Sequence, residues 1–229
     1  MKLVNIPDIG DVQIVKNPRS RSIKMTIDRN STVKVTIPSW APYKAGELFL
    51  LSKQEWIKDN LQPKTVLNHG DPIGKFHHLY FKPDEKVKTI SSRKKGSELW
   101  VTHPYHLKHT QTEVQDSARK ISMSALRVQA QNTLPQRLGN LAEKHGFEFA
   151  SVSVRQLKAR WGSCSSKQEI TLNFFLMQLP WELIDYVLLH ELSHTKAMHH
   201  GPEFWKIFDQ ALPNAKSYRK QLHTYAPYI

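Results

Sequence analysis

The segment that most limits what this chain can fold into is "IDYVLLHELSH", Ile184 to His194. It is apolar and free of helix breakers, as a buried helix must be, yet it carries His190, Glu191 and His194 in the order HExxH. Residues four apart project from one face of an α-helix, so both imidazoles can reach a single metal ion while Glu191 points toward its open side. Histidines placed at random on a buried helix are costly. The pattern therefore predicts a hydrolytic metal site built on a core helix. Cys164 is the only cysteine, which rules out an intrachain disulfide and an all-cysteine metal site. Any metal must be held by His, Asp or Glu.

A catalytic zinc takes three protein ligands and leaves one position for water. His199, His200 and Glu203 are the nearby candidates for the third. On a helix continued from His194, His200 would lie about 240° around the axis and about 9 Å further along, out of reach of the same ion. The chain must therefore turn back after His194. Gly201-Pro202 supplies a new helix start, and Phe204, Trp205 and Phe208 follow at spacings that suit a buried face. His200 heads that helix and is the favoured ligand, with His199 and Glu203 as alternatives. The interval from His194 to His200 equals that of the metzincin pattern HExxHxxGxxH, but Ala197 stands at its glycine position, which argues against a metzincin turn.

The motifs "RWGSCS", "ITLNFFLMQLP", "IDYVLLHELSH" and "HHGPEFW" follow one another in the order and spacing of the YgjP-like metallopeptidase family, which the chain resembles from about residue 105 onward. That family is related to the SprT and Spartan proteases among the zincins. The resemblance implies one zinc ion on His190, His194 and His200, with Glu191 as catalytic base and His199 at a variable position. It also implies a small sheet beside the metal-binding helix whose edge strand pairs with extended peptide; the strands around "WGSC" and "EITLN" are the candidates.

Hydropathy patterning gives an α+β organisation, a β-rich N-terminal region over residues 1–105 followed by a more helical region over 106–229; the resemblance implies that the latter is a zincin-like catalytic domain with a small sheet packed on the HExxH helix. "SIKMTID" and "TVKVTIP" read as a hairpin turning at "RNS". One helix should span "PYKAGELFLLSKQEWIKDNLQ", with Leu48, Leu51, Trp56 and Leu61 at mostly helical intervals before Pro63. Strands in "NHGDPIGKFHHLYFKP" and "SELWVTHP" should extend the same sheet. A long helical segment follows from "TQTEVQ", which Pro135 should kink or divide and Gly146 should end. "SVSVRQLKARWGSC" and "QEITLNFFLM" read as two strands, and helices are expected after Pro180, at Pro202 and over "NAKSYRKQLHTY".

Around the metal, Arg160, Tyr186 and Tyr218 are available as substrate or oxyanion contacts. Trp161 and Gly162 are expected to set a turn and packing beneath the site, and Asn173 to hydrogen-bond across the sheet near the metal. Cys164 reads as a small hydrophobe rather than a nucleophile, because the histidines near it are accounted for as ligands. His77, His78, His103, His106 and His109 offer a second metal cluster, against which ordinary hydrogen-bonded or surface histidine is the better reading. The formal charge of +13 suits an anionic partner: a protein or peptide substrate that is acidic or bound to DNA, or a nucleotide or nucleic acid on the basic surface. Metal-dependent nucleotide phosphohydrolysis and a DNA-associated module with a structural metal are the competing functions, the last disfavoured by the intact Glu191. No run is long and apolar enough for a membrane helix, and the start "MKLVNIPDIGDVQIV" has no leader pattern, so a cytoplasmic location is expected.

Overall fold

In a computed structural model of the chain, residues 1–7, 9–27, 33–60 and 66–229 are described. They form two compact units, Met1–Thr65 and Val66–Pro227. The architecture is α+β. No described helix is long and apolar enough to cross a membrane.

The first unit is a four-stranded sheet with two helices: β1 (Lys2–Ile6), β2 (Gly10–Asn17), β3 (Lys24–Ile27), β4 (Val33–Pro38), α1 (Tyr43–Leu51) and α2 (Gln54–Asn60). Strand order is β1-β2-β4-β3. β3 and β4 pair antiparallel, as expected for a hairpin; the "RNS" turn expected between them lies outside the described residues. Val12, Ile14, Val33, Val35 and Ile37 face one core together with Leu50 and Ile57. The single helix expected over 42–62 is two, with Leu61 and Pro63 outside the described residues. Leu48, Leu51 and Trp56, whose spacing suggested the helix, are exposed; Gly46, Leu50 and Ile57 are the residues that pack inward.

The second unit begins with β5 (Pro72–Ile73), β6 (His77–Asp84), β7 (Ser91–Lys95) and β8 (Glu98–Pro104), in the order β5-β6-β8-β7. This is a separate sheet, not an extension of the first. Its inward residues Ile73, Leu79, Phe81, Leu99 and Val101 share a core with Val114, Ala118, Leu126, Leu134 and Leu138 of α3 (Thr112–His145). The boundary expected near residue 105 thus falls inside one unit. Two buried glutamines on α3, about four turns apart, show why. Gln115 accepts from the Leu67 amide (2.8 Å) and donates to the carbonyls of Leu67 and His109 (2.8 Å each). Gln129 accepts from the Lys75 amide (2.8 Å) and donates to Ile73 O (2.8 Å), and its Nε2 lies 2.7 Å from His77 Nδ1. Buried backbone groups must be paired, and these come from α3.

Pro135 does not divide α3, which runs unbroken to its left-handed cap at Gly146 (φ 66°). The proline removes one intrahelical donor, but the carbonyl it strands belongs to exposed Gln131, while Leu134 and Leu138 stay buried. Beyond α3 the chain forms three strands rather than two: β9 (Ser151–Arg155), β10 (Gly162–Cys164) and β11 (Glu169–Asn173), ordered β10-β11-β9. "FFLM", expected to continue a strand, is a 3-10 turn, Phe174–Gln178. Asn173 makes the switch: its Oδ1 accepts from Phe175 N (3.3 Å) and its Nδ2 donates to the carbonyls of Leu157 and Arg160 (2.8 Å each). The last helices are α4 (Trp181–Ser193), α5 (Pro202–Ala211) and α6 (Ala215–Leu222), starting where Pro180 and Gly201-Pro202 place them.

Candidate metal centre

α4 is the pedestal of the site. Leu183, Ile184, Val187, Leu188, Leu189 and Leu192 bury it in the core of the second unit. Its first turn is clamped from α3. Arg137 grips Asp185 with two donors, Nη2 to Oδ2 at 2.7 Å. The Arg137 guanidinium and the Lys75 ammonium lie over the Trp181 ring at 4.6 and 5.0 Å, and Lys75 Nζ donates to the Leu179 carbonyl. A helix packed and pinned this way can hold side chains at its far end in fixed geometry.

At that far end the helix stops at Ser193, and the chain turns back through Thr195 to Gly201, as the spacing of the histidines demanded. The amides of Thr195, Lys196 and Ala197 bond back to the carbonyls of Leu192 and Ser193. No residue from 195 to 200 has a positive φ, so the turn needs no glycine where Ala197 stands. The result brings His200 onto the helix face of His190 and His194. Ring nitrogens of all three lie within 4.8 Å of one another, and Nε2 of His200 is 3.1 Å from Nε2 of His190. Phe204 touches all three rings, at centroid distances of 5.0, 4.6 and 4.7 Å. Trp205 holds His200 from outside: its Nε1 donates to the His200 carbonyl (3.1 Å) and its ring stacks on the imidazole at 5.9 Å.

This donor set fits a divalent cation. His194 Nδ1 lies 3.2 Å from the Ala197 carbonyl, the bond that puts the proton on Nδ1 and leaves Nε2 as a lone-pair donor. Burial, and the positive charge that His194, His200 and Arg219 would add, hold His190 down to about 3, so it stays neutral. Its Nδ1 is buried without a hydrogen-bond partner among the described residues, amid the rings of Phe204, Phe208 and Tyr186. Glu191 is buried against β10, and burial pushes its carboxyl up to about 8, with the positive charge of Arg160 opposing. A buried carboxyl beside three converging imidazoles is an arrangement that a nearby cation stabilises.

The structure sorts the other candidates. His199 and Glu203 are exposed and outside the cluster. Among the described residues no second group of three metal-binding side chains occurs; His77 is satisfied by Gln129 and His103 Nδ1 by the Pro104 carbonyl (3.1 Å). Tyr186 is buried, with its ring 6.1 Å from that of His190, and Tyr218 is half-buried, 6.3 Å from Tyr186. Arg160 is exposed. Burial, with the negative charge of Glu191, pushes the Cys164 thiol up to about 11, the opposite of what a nucleophile requires. Two roles escaped the sequence reading. Phe204 reads there as core alone, though it is the common floor of the three imidazoles. Arg219 on α6 lies over the ring of Trp205, the residue that holds His200, at 5.9 Å, and no pattern on α6 marks it.

The YgjP-like, metallopeptidase domain family model matches residues 21–225. Among solved structures, the metallopeptidase zymogen abylysin of Pyrococcus abyssi aligns with 30% identity over 38% of this chain and 89% of its own, at a TM-score of 0.36. The metallopeptidase zymogen jannalysin of Methanocaldococcus jannaschii aligns with 19% identity over 38% of this chain and 90% of its own, at a TM-score of 0.35. No curated protein matches.

Proposed function

The chain belongs to the YgjP-like metallopeptidase family, and from that premise we propose that it is a zinc peptidase whose ion is held by His190, His194 and His200 and whose general base is Glu191. The observation that carries this reading is the convergence of three imidazoles on one point, with a carboxylate one residue along the same helix. An ion bound there supplies Lewis acidity, which acidifies a water molecule and polarises a carbonyl. Glu191 accepts the proton of the attacking water as its oxygen bonds to the peptide carbon, then returns that proton to the nitrogen as the C–N bond breaks.

Extended peptide fits the sheet beside the site. Among the described residues β10 is an edge strand, paired with β11. The Asn173 amide bonds Trp161 O, and Ser165 N bonds Glu169 O, so in the register Gly162↔Leu172 and Cys164↔Ile170 the residues 162 and 164 turn their N–H and C=O groups to the open edge. That favours a main chain over a nucleotide as the group bound. The charge of +13 draws acidic or nucleic-acid-bound proteins to the enzyme. A single cysteine and no disulfide suit a cytoplasmic setting. The test is to measure metal content and then to incubate the purified protein with unfolded polypeptide, nucleoside triphosphates and DNA, beside Glu191→Gln. One zinc per chain and peptide products lost in the variant are expected. Pyrophosphate release alone, or full turnover by Glu191→Gln, would overturn the proposal.

A further inference from the structure

The side chain of Glu191 occupies the space that a side chain at position 162 would need. A Cβ placed on Gly162 meets Glu191 Cγ and Oε1 at 2.8 Å and Cδ at 3.0 Å, inside the separation at which non-bonded atoms attract. Conformation does not explain the glycine, because Gly162 is not among the residues at positive φ. Space does. Gly46 is nearly as tight and Gly74 tighter, but against Ile14 and Gln129, which pack and fasten the fold, and Gly74 also has a positive φ; Gly162 alone faces a carboxylate. Glu191 has little freedom to yield, since it is 6% exposed on a helix whose neighbouring residues Leu189, Leu192 and Ser193 are also buried. An isolated glycine in a strand marks a close approach by another group, and here the group is the proposed base.

We infer that Gly162 is a positioning residue for Glu191: the missing side chain lets the carboxyl lie against the backbone of β10, and this sets where it stands relative to the three imidazoles. The inference rests on the reading of Glu191 as the base. The three atoms nearest to a methyl group at 162 all belong to Glu191, so the carboxylate is the first group it displaces. Its effect belongs in turnover rather than in metal binding or substrate affinity.

The experiment compares Gly162→Ala, Glu191→Ala and the double variant with the parent chain, and uses Gly139→Ala on α3, where an added Cβ meets nothing within 4 Å, as control. Metal affinity is read by chelator competition, kcat and KM on unfolded polypeptide, and Tm by calorimetry. For Gly162→Ala we expect metal affinity and KM within about threefold of the parent, and kcat lower by about 100-fold or more, the scale of a lost general base. The same substitution should lower Tm when Glu191 is present and leave it unchanged when residue 191 is alanine. If Gly162→Ala fails to fold, the double variant decides: a folded double variant supports the contact, an unfolded one overturns it. A kcat within threefold of the parent, a parallel loss of metal, or the same drop in Tm in both backgrounds also overturns the inference. The Tm comparison needs no catalytic activity, so failure of the peptidase reading and failure of the contact are read separately.

Discussion

The two compact units bury different things. In Met1–Thr65 the fully buried residues that are described are apolar, glycine or proline, with Val12, Ile14, Val35 and Ile37 at their centre. The buried polar or charged residues among those described, His77, His103, Gln115, Ser122, Gln129, Asn173, Glu191 and Ser193, all lie in the second unit. An apolar core is satisfied by volume and pattern. A buried polar group must also find its partner, and leaving it unmatched costs about 1–3 kcal/mol. The first unit is thus specified by alternation and the second by particular pairs, with the proposed base Glu191 among its buried polar groups.

The sharpest way to separate these roles is Glu191→Gln, which keeps the shape of the side chain. Turnover should fall by about 1000-fold or more, with metal content and the folded circular dichroism spectrum retained. Gln129→Leu probes a polar residue that fastens rather than reacts. It leaves the Lys75 amide, the Ile73 carbonyl and His77 Nδ1 without that partner, so denaturant unfolding of the second unit should show a loss of about 3 kcal/mol. Cys164 tests the electrostatics beside Glu191. The thiol, near 9 when unperturbed, is pushed up to about 11, so it stays protonated at pH 8, and its reaction with a disulfide reagent should be about 100-fold slower than in the denatured chain. Stability linked to this thiol is intact below pH 9 and falls as pH rises from 9 toward 11, because the unfolded chain ionises first. In the first unit Val35→Thr is the reciprocal change, a hydroxyl placed in an apolar cluster. Its cost should be the smallest, about 1–2 kcal/mol by the same unfolding measurement. If Val35→Thr cost more than Gln129→Leu, the contrast between the two cores would be wrong.

That contrast also explains what could be read in the sequence. The HExxH helix, its start after Pro180, the new start at Gly201-Pro202 and the reversal that returns His200 follow from periodicity, turn chemistry and ligand reach, and the structure has all of them. The β3–β4 pairing follows from alternation in two runs separated by a short turn-prone segment. The boundary near residue 105 went wrong because the apolar face of the second sheet is equally ready to cover any partner, and Gln115 and Gln129, which select α3, read in sequence as surface polar residues of a helix. The strand expected through Phe174 and Phe175 failed for a related reason. Its apolar pattern is compatible with a strand, but the Asn173 side chain caps the amide of Phe175 and turns the chain. Polar residues with long-range partners are the part of a sequence that local pattern does not decode.

The reversal between Thr195 and Gly201 is made without a single left-handed residue. His194 is oriented there by a main-chain carbonyl, that of Ala197, which every amino acid provides. The identity of residue 197 is therefore constrained by its burial rather than by backbone conformation, while the Thr195 hydroxyl on the Leu192 carbonyl and Lys196 over the Phe147 ring brace the turn beside it. A search for related sites keyed on a glycine in this turn would pass over this chain, whereas one keyed on the interval between the histidines and the aromatic pair Phe204-Trp205 would find it.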